Sequence, residues 1–311
     1  MALFTFNFDK RIISVFLTLL VGTAVFALYN FAIWKIQRDD PGGKQAARRF
    51  WNDKIYPKKK YNAVFLGDSR CMNGINPALL EKKMGKPVFN SGFLAGGLNK
   101  TIFEHVEKKL LTSSPQEPRC IIFAVTPHSM STVSDANAHF KSLFKRKEQT
   151  ESWNEILFKQ FSSKEIGILW GDGLSRSICH ENGWHELLRK VRARSQRNAL
   201  RYYQNLLSKL KFSPETWNEL FAQTEIWTKN NITVFAFYIP STQALEKMEL
   251  SLADWNLDKF KAQFRKSGGI FLEISDRESY NAYDAVHLNS QDAQKLSKDL
   301  AEKIDTHLNK K

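Results

Sequence analysis

The chain has 311 residues, of which 42% are hydrophobic and 13% aromatic. This composition provides enough apolar surface for one or at most two folded domains and argues against an intrinsically disordered chain. The formal net charge of +14 and a pI near 9.6 raise the question of a polyanionic partner.

Much of the positive charge lies in two stretches, residues 54–60 and 189–201. No helix-turn-helix, zinc-finger or aromatic RNA-binding pattern accompanies them, which disfavours a nucleic-acid partner. A solvated basic surface explains both stretches, and lipid head groups or acidic polysaccharide are alternative contacts. The three cysteines, Cys71, Cys120 and Cys179, have neither the number nor the spacing of a disulfide framework or a zinc site.

The segment Ile12–Trp34 contains no charged residue and, as a helix, would be about 34 Å long. It ends in bulky Phe31 and Trp34 rather than at a small-residue cleavage site, which favours an uncleaved transmembrane signal anchor after a short tail, residues 1–11. A buried core helix is the alternative, and its length and position near the N-terminus disfavour it.

Residues 35–60 are polar and basic and include Pro41–Gly43, so they predict a juxtamembrane linker, with a folded domain over 61–311. Short apolar runs with β-branched or aromatic residues predict buried parallel strands. There are five of them: Ala63–Leu66, Val88–Phe89, Cys120–Val125, Ile232–Ile239 and Ile270–Ile274. Helical patterns alternate with them, so we expect an α/β fold, a flavodoxin-like three-layer sandwich with about five parallel strands.

Three helices are predicted from capping and periodicity. The first is Pro77–Met84, with Asn76 as its N-cap and Gly85 as its stop. The second is Leu98–Leu111, which has an apolar residue every four positions, and the third starts after Asn289 and runs to about Leu308.

The interval of residues 137–229 lacks strand signals and is predicted to be a helical insertion between the third and fourth strands. Its helical stretches are Trp184–Leu210, which is rich in arginine, and a helix that starts at Pro214 with Ser213 as its cap. The arginine-rich stretch is interpreted as a solvated amphipathic face, with a polyanion groove as the alternative.

The first predicted strand leads directly into Gly67–Ser69, at the sheet edge where α/β proteins place their ligand chemistry. A serine hydroxyl needs a base within about 3 Å to become a nucleophile. Asp284 and His287, just before the last helix, have a spacing that lets the carboxylate orient the imidazole. Singly, each motif has an ordinary explanation, a turn for the first and a helix cap with a surface histidine for the second.

Together, and in this order, these motifs resemble the SGNH/GDSL hydrolase superfamily. The resemblance covers about residues 61–308 but is carried by short blocks, Gly67–Ser69, Asn90–Gly92 and the Asp284/His287 pair. It implies Ser69 as nucleophile, His287 as general base and then acid, and Asp284 as the orienting carboxylate. It also implies an oxyanion hole formed by the N–H groups of Ser69 and Gly92, and Asn90 is a further candidate.

The chain departs from the family pattern at the third block. The family has Gly-x-Asn-Asp there, and this chain has Thr126–Ser129 with no asparagine. One missing oxyanion donor can cost about 2.7–4 kcal/mol of transition-state stabilisation. Thr126, His128 and Asn90 are the candidates to replace it, and Thr126 and His128 are also candidate substrate-binding residues.

Two neighbours of Ser69 are also chemically notable. Arg70 could bind an anionic group of the substrate through its guanidinium, or form a salt bridge that anchors the loop. Cys71 is interpreted as a packing residue, because the sequence offers no cysteine-enzyme context around it.

The anchor together with Gly67–Arg70 and the third block around His128 is similar to membrane-tethered SGNH-like proteins of bacterial cell-envelope polysaccharide pathways, which add or remove acyl groups. The resemblance implies a serine esterase or O-acyltransferase that needs no metal and no organic cofactor. The implied partners are an acylated glycan or small ester, the lipid bilayer through residues 12–34, and envelope-polysaccharide assembly proteins. The alternatives are a catalytically silent scaffold subunit and a basic protein that binds nucleic acid or anionic lipid.

Two features of the sequence give opposite predictions for the orientation of the anchor. Two basic residues precede the span, Lys10 and Arg11, and five follow it within 15 positions, so the positive-inside rule favours a cytoplasmic domain. Long C-terminal domains nevertheless translocate despite flanking charge, and the family resemblance implies an extracytoplasmic domain. We therefore expect the domain outside the cytoplasm.

Overall fold

The computed structural model describes residues 10–41, 43–56, 58–94, 96–111, 117–132, 142, 145, 177–188, 192–212 and 214–309. The chain forms two compact units, residues 1–46 with 149–175 and residues 47–148 with 176–311. In the first unit, helix α1 (Lys10–Asp39) is long and apolar enough to cross a membrane, with a mean hydropathy of 2.3 over Lys10–Ile36.

The remaining elements alternate between helix and strand for most of the chain. In order they are α2 (Lys44–Ile55), β1 (Ala63–Leu66), α3 (Ser69–Gly74), α4 (Pro77–Met84), β2 (Val88–Asn90), α5 (Lys100–Glu107), β3 (Arg119–Val125), β4 (Ser177–Cys179), β5 (His185–Leu187), α6 (Ala193–Leu207), α7 (Pro214–Lys229), β6 (Ile232–Tyr238), α8 (Gln243–Leu250), α9 (Leu257–Lys266), β7 (Ile270–Phe271) and α10 (Ser290–Leu308).

Five strands form one parallel sheet in the order β2-β1-β3-β6-β7. Numbered within this sheet alone, the order is 2-1-3-4-5, which is the flavodoxin-like arrangement. The predicted fold class is confirmed, and all five predicted strands are present, although β7 ends at Phe271 rather than Ile274. The sheet order reverses between β1 and β3, and a ligand site is expected where the carboxyl ends of those strands meet.

Both faces of the sheet are buried, which explains why its strands are continuously apolar. On β3, Ile121 and Phe123 pack into the core cluster on one face, whereas Cys120 and Ile122 pack into the cluster on the other. Helices α5, α7 and α9 supply the first cluster, and α4 and α10 supply the second. The carboxyl ends of β1 and β3 are thereby fixed between two packed layers.

The capped helices agree closely with the sequence. Helix α4 has the predicted bounds, and Asn76 Oδ1 accepts the Ala78 N–H at 3.1 Å. Helix α10 likewise begins after Asn289, whose side chain accepts the Asp292 N–H at 3.0 Å. Helix α5 is shorter than the predicted 98–111, because Asn99 caps it and the helix begins only at Lys100.

The predicted helix over Trp184–Leu210 is wrong in its first part. Strands β4 and β5 form an antiparallel hairpin there, and helix α6 begins only at Ala193. Trp184 is buried because its indole N–H donates to the Asn73 carbonyl at 2.9 Å, a tertiary contact that periodicity does not reveal. Three-residue strands are also too short to show an alternating pattern. Residues 146–176 of the predicted insertion and the predicted cap Ser213 lie outside the described residues.

The region predicted as a linker, residues 35–60, contains helix α2. Phe50 is 3% exposed and Ile55 is 8% exposed, and Ile55 belongs to the core cluster on one face of the sheet. Residues 47–55 are therefore part of the second compact unit, which begins before Tyr61. Apolar residues at positions 50, 51 and 55 are the signal of an inward helical face.

Candidate active site

The turn that follows β1 has room for glycine alone at its first position. A Cβ on Gly67 would lie 2.7 Å from Cys71 Cβ and 2.8 Å from the Ala124 carbonyl oxygen, inside van der Waals contact. The backbone of this turn therefore passes directly against the end of β3. This close approach delivers Ser69 at the carboxyl edge of the sheet.

Ser69 is the first residue of α3, and Asp68 is the cap of that helix. Asp68 Oδ1 accepts the Arg70 N–H at 2.9 Å, so the carboxylate fixes the start of the helix. The Ser69 N–H lies in the first turn, where helix N–H groups have no partner within the helix. This group is available as a donor to a developing oxyanion.

Ser69 forms one hydrogen-bonded chain with His287 and Asp284, which lie more than 200 residues further along the sequence. His287 Nε2 lies 2.9 Å from Ser69 Oγ, and His287 Nδ1 lies 2.9 Å from Asp284 Oδ2. A carboxylate only accepts hydrogen bonds, so Nδ1 carries the proton and Nε2 presents its lone pair to the serine hydroxyl. The side chains of His287 and Asp284 are 17% and 18% exposed, so the chain of bonds is open to solvent at one side.

The turn that carries Asp284 and His287 is held in a strained conformation. Ala285 has φ = 72°, a value that side-chain-bearing residues rarely adopt. Asp284 Oδ1 closes the turn by accepting the His287 N–H at 2.8 Å, and the Thr242 hydroxyl donates to the Ala285 carbonyl at 3.0 Å. These bonds maintain the imidazole orientation at the cost of a local strain of about 1–3 kcal/mol.

The electrostatics of Asp284 suit an orienting carboxylate. Partial burial acts to raise its pKa, but the hydrogen bonds and charge of His287 outweigh this effect and bring the pKa to about 2. Asp284 is therefore ionised across the physiological range, and it can stabilise the imidazolium that forms when His287 takes a proton.

The predicted oxyanion groups of the second block have other partners in this structure. The Gly92 N–H donates to Asn90 Oδ1 at 2.9 Å, and the Asn90 amide donates to the carbonyls of Cys71 at 2.8 Å and Ile75 at 3.0 Å. A Cβ on Gly92 would lie 2.6 Å from Met72 N, so the glycine permits the β2 loop to pack against α3. Asn90 and Gly92 therefore join the end of β2 and the loop after it to α3, the helix that begins with Ser69.

Thr126 joins the end of β3 to the turn that carries Asp68 and Ser69. Its hydroxyl donates to Asp68 Oδ2 at 2.7 Å and accepts the Ser129 N–H at 2.9 Å. Thr126 is fully buried, so both of its hydrogen bonds are internal. The hydroxyl proton is therefore used on Asp68 and is not free for a substrate oxygen.

His128 lies in the same turn and is 8% exposed. Its Nδ1 is 4.0 Å from Asp68 Oδ2, and its ring makes no hydrogen bond to any other described residue. Burial lowers the pKa of His128, with Asp68 opposing that effect, so the ring is neutral at pH 7 and retains one N–H donor. Of the three candidates for the missing donor, His128 is the one whose donor is uncommitted.

Arg70 is buried and forms an internal ion pair with Glu249; it is not an exposed cation. It is 2% exposed, and both of its terminal nitrogens contact the carboxylate of Glu249, which is completely buried. The Tyr238 hydroxyl also donates to Glu249, at 2.5 Å. Of the two sequence interpretations, the loop-anchoring salt bridge agrees with this geometry.

Sequence reasoning did not find Glu249 or the role of Lys54. Glu249 stands four residues after Leu245 on the inward face of α8, and a carboxylate at an apolar position is a readable sign of a buried pair. Lys54 is buried on α2 and lies on a helix that the sequence alone predicts to be part of a linker. Cys71 is fully buried, and burial raises the pKa of its thiol far above the usual range, which agrees with a packing role.

No protein-family model matches the sequence, and no curated protein matches it. The chain is similar to three solved structures. One, named as a platelet activating factor from Streptococcus pneumonia, has 12% identity and a TM-score of 0.39, over 91% of this chain and 99% of the other. A lipolytic protein of the G-D-S-L family from Desulfitobacterium hafniense DCB-2 has 9% identity and a TM-score of 0.37, over 78% and 98%. A carbohydrate acetylesterase family member from Sinorhizobium meliloti has 10% identity and a TM-score of 0.35, over 80% and 99%. At these values the similarity does not bear on activity.

Replacing Glu249 with glutamine should destabilise the fold strongly, because Arg70 would keep its charge in a buried site without a counterion. The expected cost is about 3–5 kcal/mol in the free energy of unfolding, measured by urea denaturation. Glu273→Gln is the matched control, since Glu273 is 60% exposed and pairs with Lys261 and Arg265 at the surface. It should cost at most about 1 kcal/mol. Equal costs for the two variants would contradict the buried pair.

Proposed function

We propose that this protein is a serine esterase or O-acyltransferase that works through an acyl-Ser69 intermediate. The observation that carries the proposal is the continuous hydrogen-bonded chain from Ser69 through His287 to Asp284, with 2.9 Å at both junctions. A nucleophile, a base within reach of its proton and a group that orients the base are the three parts that acyl transfer requires.

In the first half-reaction, His287 Nε2 takes the Ser69 hydroxyl proton as Oγ bonds to the carbonyl carbon of the ester. The carbonyl electrons move onto oxygen, and Asp284 stabilises the imidazolium. When the tetrahedral intermediate collapses, the bond to the alcohol oxygen breaks and His287 returns the proton to that oxygen. The products are a free alcohol and acyl-Ser69.

In the second half-reaction, an acceptor hydroxyl gives its proton to His287 and attacks acyl-Ser69. When the second tetrahedral intermediate collapses, the bond between the acyl carbon and Ser69 Oγ breaks, His287 returns its proton to Oγ, and the acyl group leaves on the acceptor oxygen. Water as acceptor makes the protein an esterase, and a sugar hydroxyl makes it an acyltransferase. We assign acetyl or another short acyl group on an envelope glycan as substrate, because the anchor and motifs resemble membrane-tethered proteins that carry out such reactions.

The oxyanion would be stabilised by the Ser69 N–H and by the neutral His128 ring. The N–H stands at the start of α3, and the imidazole is the candidate donor without a hydrogen bond in the described part of the chain. Two such donors would give electrostatic stabilisation without the third-block asparagine.

The apolar helix α1 supports a membrane location, and the family resemblance supports the side of the membrane. Residues 12–34 would anchor the protein as a single-pass membrane protein, with the catalytic domain on the extracytoplasmic side. Envelope-polysaccharide assembly proteins would then be its neighbours, and a glycan would reach Ser69 at the carboxyl edge of the sheet. Fusion of alkaline phosphatase or of green fluorescent protein to the C-terminus tests this side, since only the first is active outside the cytoplasm.

A catalytically silent scaffold is the second candidate function. The observation that favours it is the second block, where the Gly92 N–H is bonded to Asn90 rather than free for an oxyanion. A scaffold would retain the fold and the glycan contact but would not react with an electrophilic probe at Ser69.

Ser69→Ala should abolish fluorophosphonate labelling and lower kcat for a short-chain acyl ester by about 10⁴-fold or more. His287→Ala should lose the same activities, because no other base lies at hydrogen-bond distance from Ser69 among the described residues. Cys71→Ala is the matched control for a neighbouring nucleophile and should label as the wild type does. Wild-type protein that neither labels nor turns over an ester would instead support the scaffold.

His128→Ala should lower kcat by about 10²–10³-fold with a small change in KM, as expected for loss of one oxyanion donor. His128→Gln, which keeps a side-chain N–H, should recover part of the loss. An unchanged kcat in His128→Ala, measured on protein that unfolds at the wild-type temperature, would remove His128 from the oxyanion hole.

A further inference from the structure

Lys54 is completely buried, although lysine is among the residues least often found inside a protein. Its Nζ donates to the carbonyl of Asn90 and to the carbonyl of Gly92, both at 2.7 Å. No carboxylate of the described residues forms an ion pair with it. Its partners are therefore the backbone carbonyl at the end of β2, that of Asn90, and the carbonyl of Gly92 in the loop that follows.

Aromatic rings form the walls of this site. The ammonium lies 4.8 Å from the ring centroid of Phe50, 5.7 Å from that of Phe93 and 5.9 Å from that of Phe89. Burial lowers the pKa of Lys54 well below its usual range, and cation–π attraction offsets part of the cost of burying the charge. Both the ammonium and the amine possess the two N–H donors that the carbonyls need.

The loop that Lys54 holds lies against the nucleophile turn. The Ser91 N–H donates to the Phe65 carbonyl at 2.9 Å, and the Phe93 N–H donates to the Gly67 carbonyl at 3.1 Å. Phe65 is on β1 and Gly67 begins the turn to Ser69. Residues 90–93 thus extend the sheet past the end of β1 and form one wall of that turn.

We propose that Lys54 is a positioning residue for the reaction at Ser69. It binds the carbonyls of Asn90 and Gly92, those residues fix the loop, and the loop fixes the backbone on which Ser69 stands. Lys54 does not touch the substrate. The proposal rests on the proposed function, and it makes helix α2, which follows the apolar helix α1 in sequence, a structural part of the active site.

Lys109 provides a matched control, because it is a second buried lysine with a different target. It is also 0% exposed, its Nζ donates to the Asp53 carbonyl at 2.8 Å and it lies 4.5 Å from the Phe89 ring centroid. It makes no hydrogen bond to residues 90–93. Removal of either amine leaves a buried backbone carbonyl without its donor. Of the two lysines, Lys54 is the one that binds residues 90–93.

The test compares full-length wild type, Lys54→Met and Lys109→Met in detergent micelles, with kcat and KM for a short-chain acyl ester and the melting temperature of each. Lys54→Met should lower kcat by about 10–100-fold with KM within about threefold, since small displacements of reacting groups are costly. Lys109→Met should keep kcat within about threefold. Lys54→Gln, which retains N–H donors, should recover part of the lost kcat.

A second readout is independent of turnover. Hydrogen exchange of the Ser91 and Phe93 amides should accelerate at least about tenfold in Lys54→Met and remain at the wild-type rate in Lys109→Met. Unchanged exchange of these amides, or equal losses of kcat in the two methionine variants, would overturn the positioning role. So would failure of both Lys54 variants to fold when Lys109→Met folds. If the amides exchange faster in Lys54→Met but the wild type turns over no ester, the contact between Lys54 and the loop is supported and only the proposed function is refuted.

Discussion

The candidate active site depends on a close backbone approach at Gly67, where no side chain fits between Cys71 and the end of β3. This constraint places the first residue of α3 at the point where the sheet order reverses. Three hydrogen bonds hold the turn in place. Asp68 caps α3 and accepts a bond from the Thr126 hydroxyl, and the Phe93 N–H donates to the Gly67 carbonyl. Because both core layers are close-packed, the strand ends that carry these groups have little freedom to shift.

Buried charges are arranged around the site in two distinct ways. On one side Arg70 and Glu249 form an ion pair with Tyr238, which ties the helix after Ser69 to α8. On the other side Lys54 uses backbone carbonyls and aromatic rings in place of a carboxylate. Both arrangements are costly to desolvate, so the loss of one partner from either should cost more than the loss of a surface contact.

The sequence predicts the sheet and the helix caps because their signals are local, whereas the grouping of Ser69 with Asp284 and His287 is implied by the family resemblance. Strand residues are apolar in continuous runs, Asn76 and Asn289 are strong caps, and Gly67–Ser69 follows a strand directly. The hairpin around Trp184 was missed because its strands are three residues long and its burial depends on the distant Asn73 carbonyl. The partners of Lys54 and Gly92 are beyond sequence reasoning for the same reason, since each contact is set by tertiary packing. For Arg70 the sequence offers a salt bridge as one interpretation, and the apolar position of Glu249 on α8 is the sign of its partner.

The central claim is a covalent acyl-Ser69 intermediate, and chemical quench of the full-length protein with an activated acetyl ester tests it most directly. Trypsin releases residues 61–70, in which Ser69 is the single serine. Tandem mass spectrometry should locate one acetyl group on Ser69 within milliseconds to seconds of mixing, and the group should be absent from His287→Ala. Acetylation confined to other peptides, or none at Ser69 while the ester is consumed, would contradict the account.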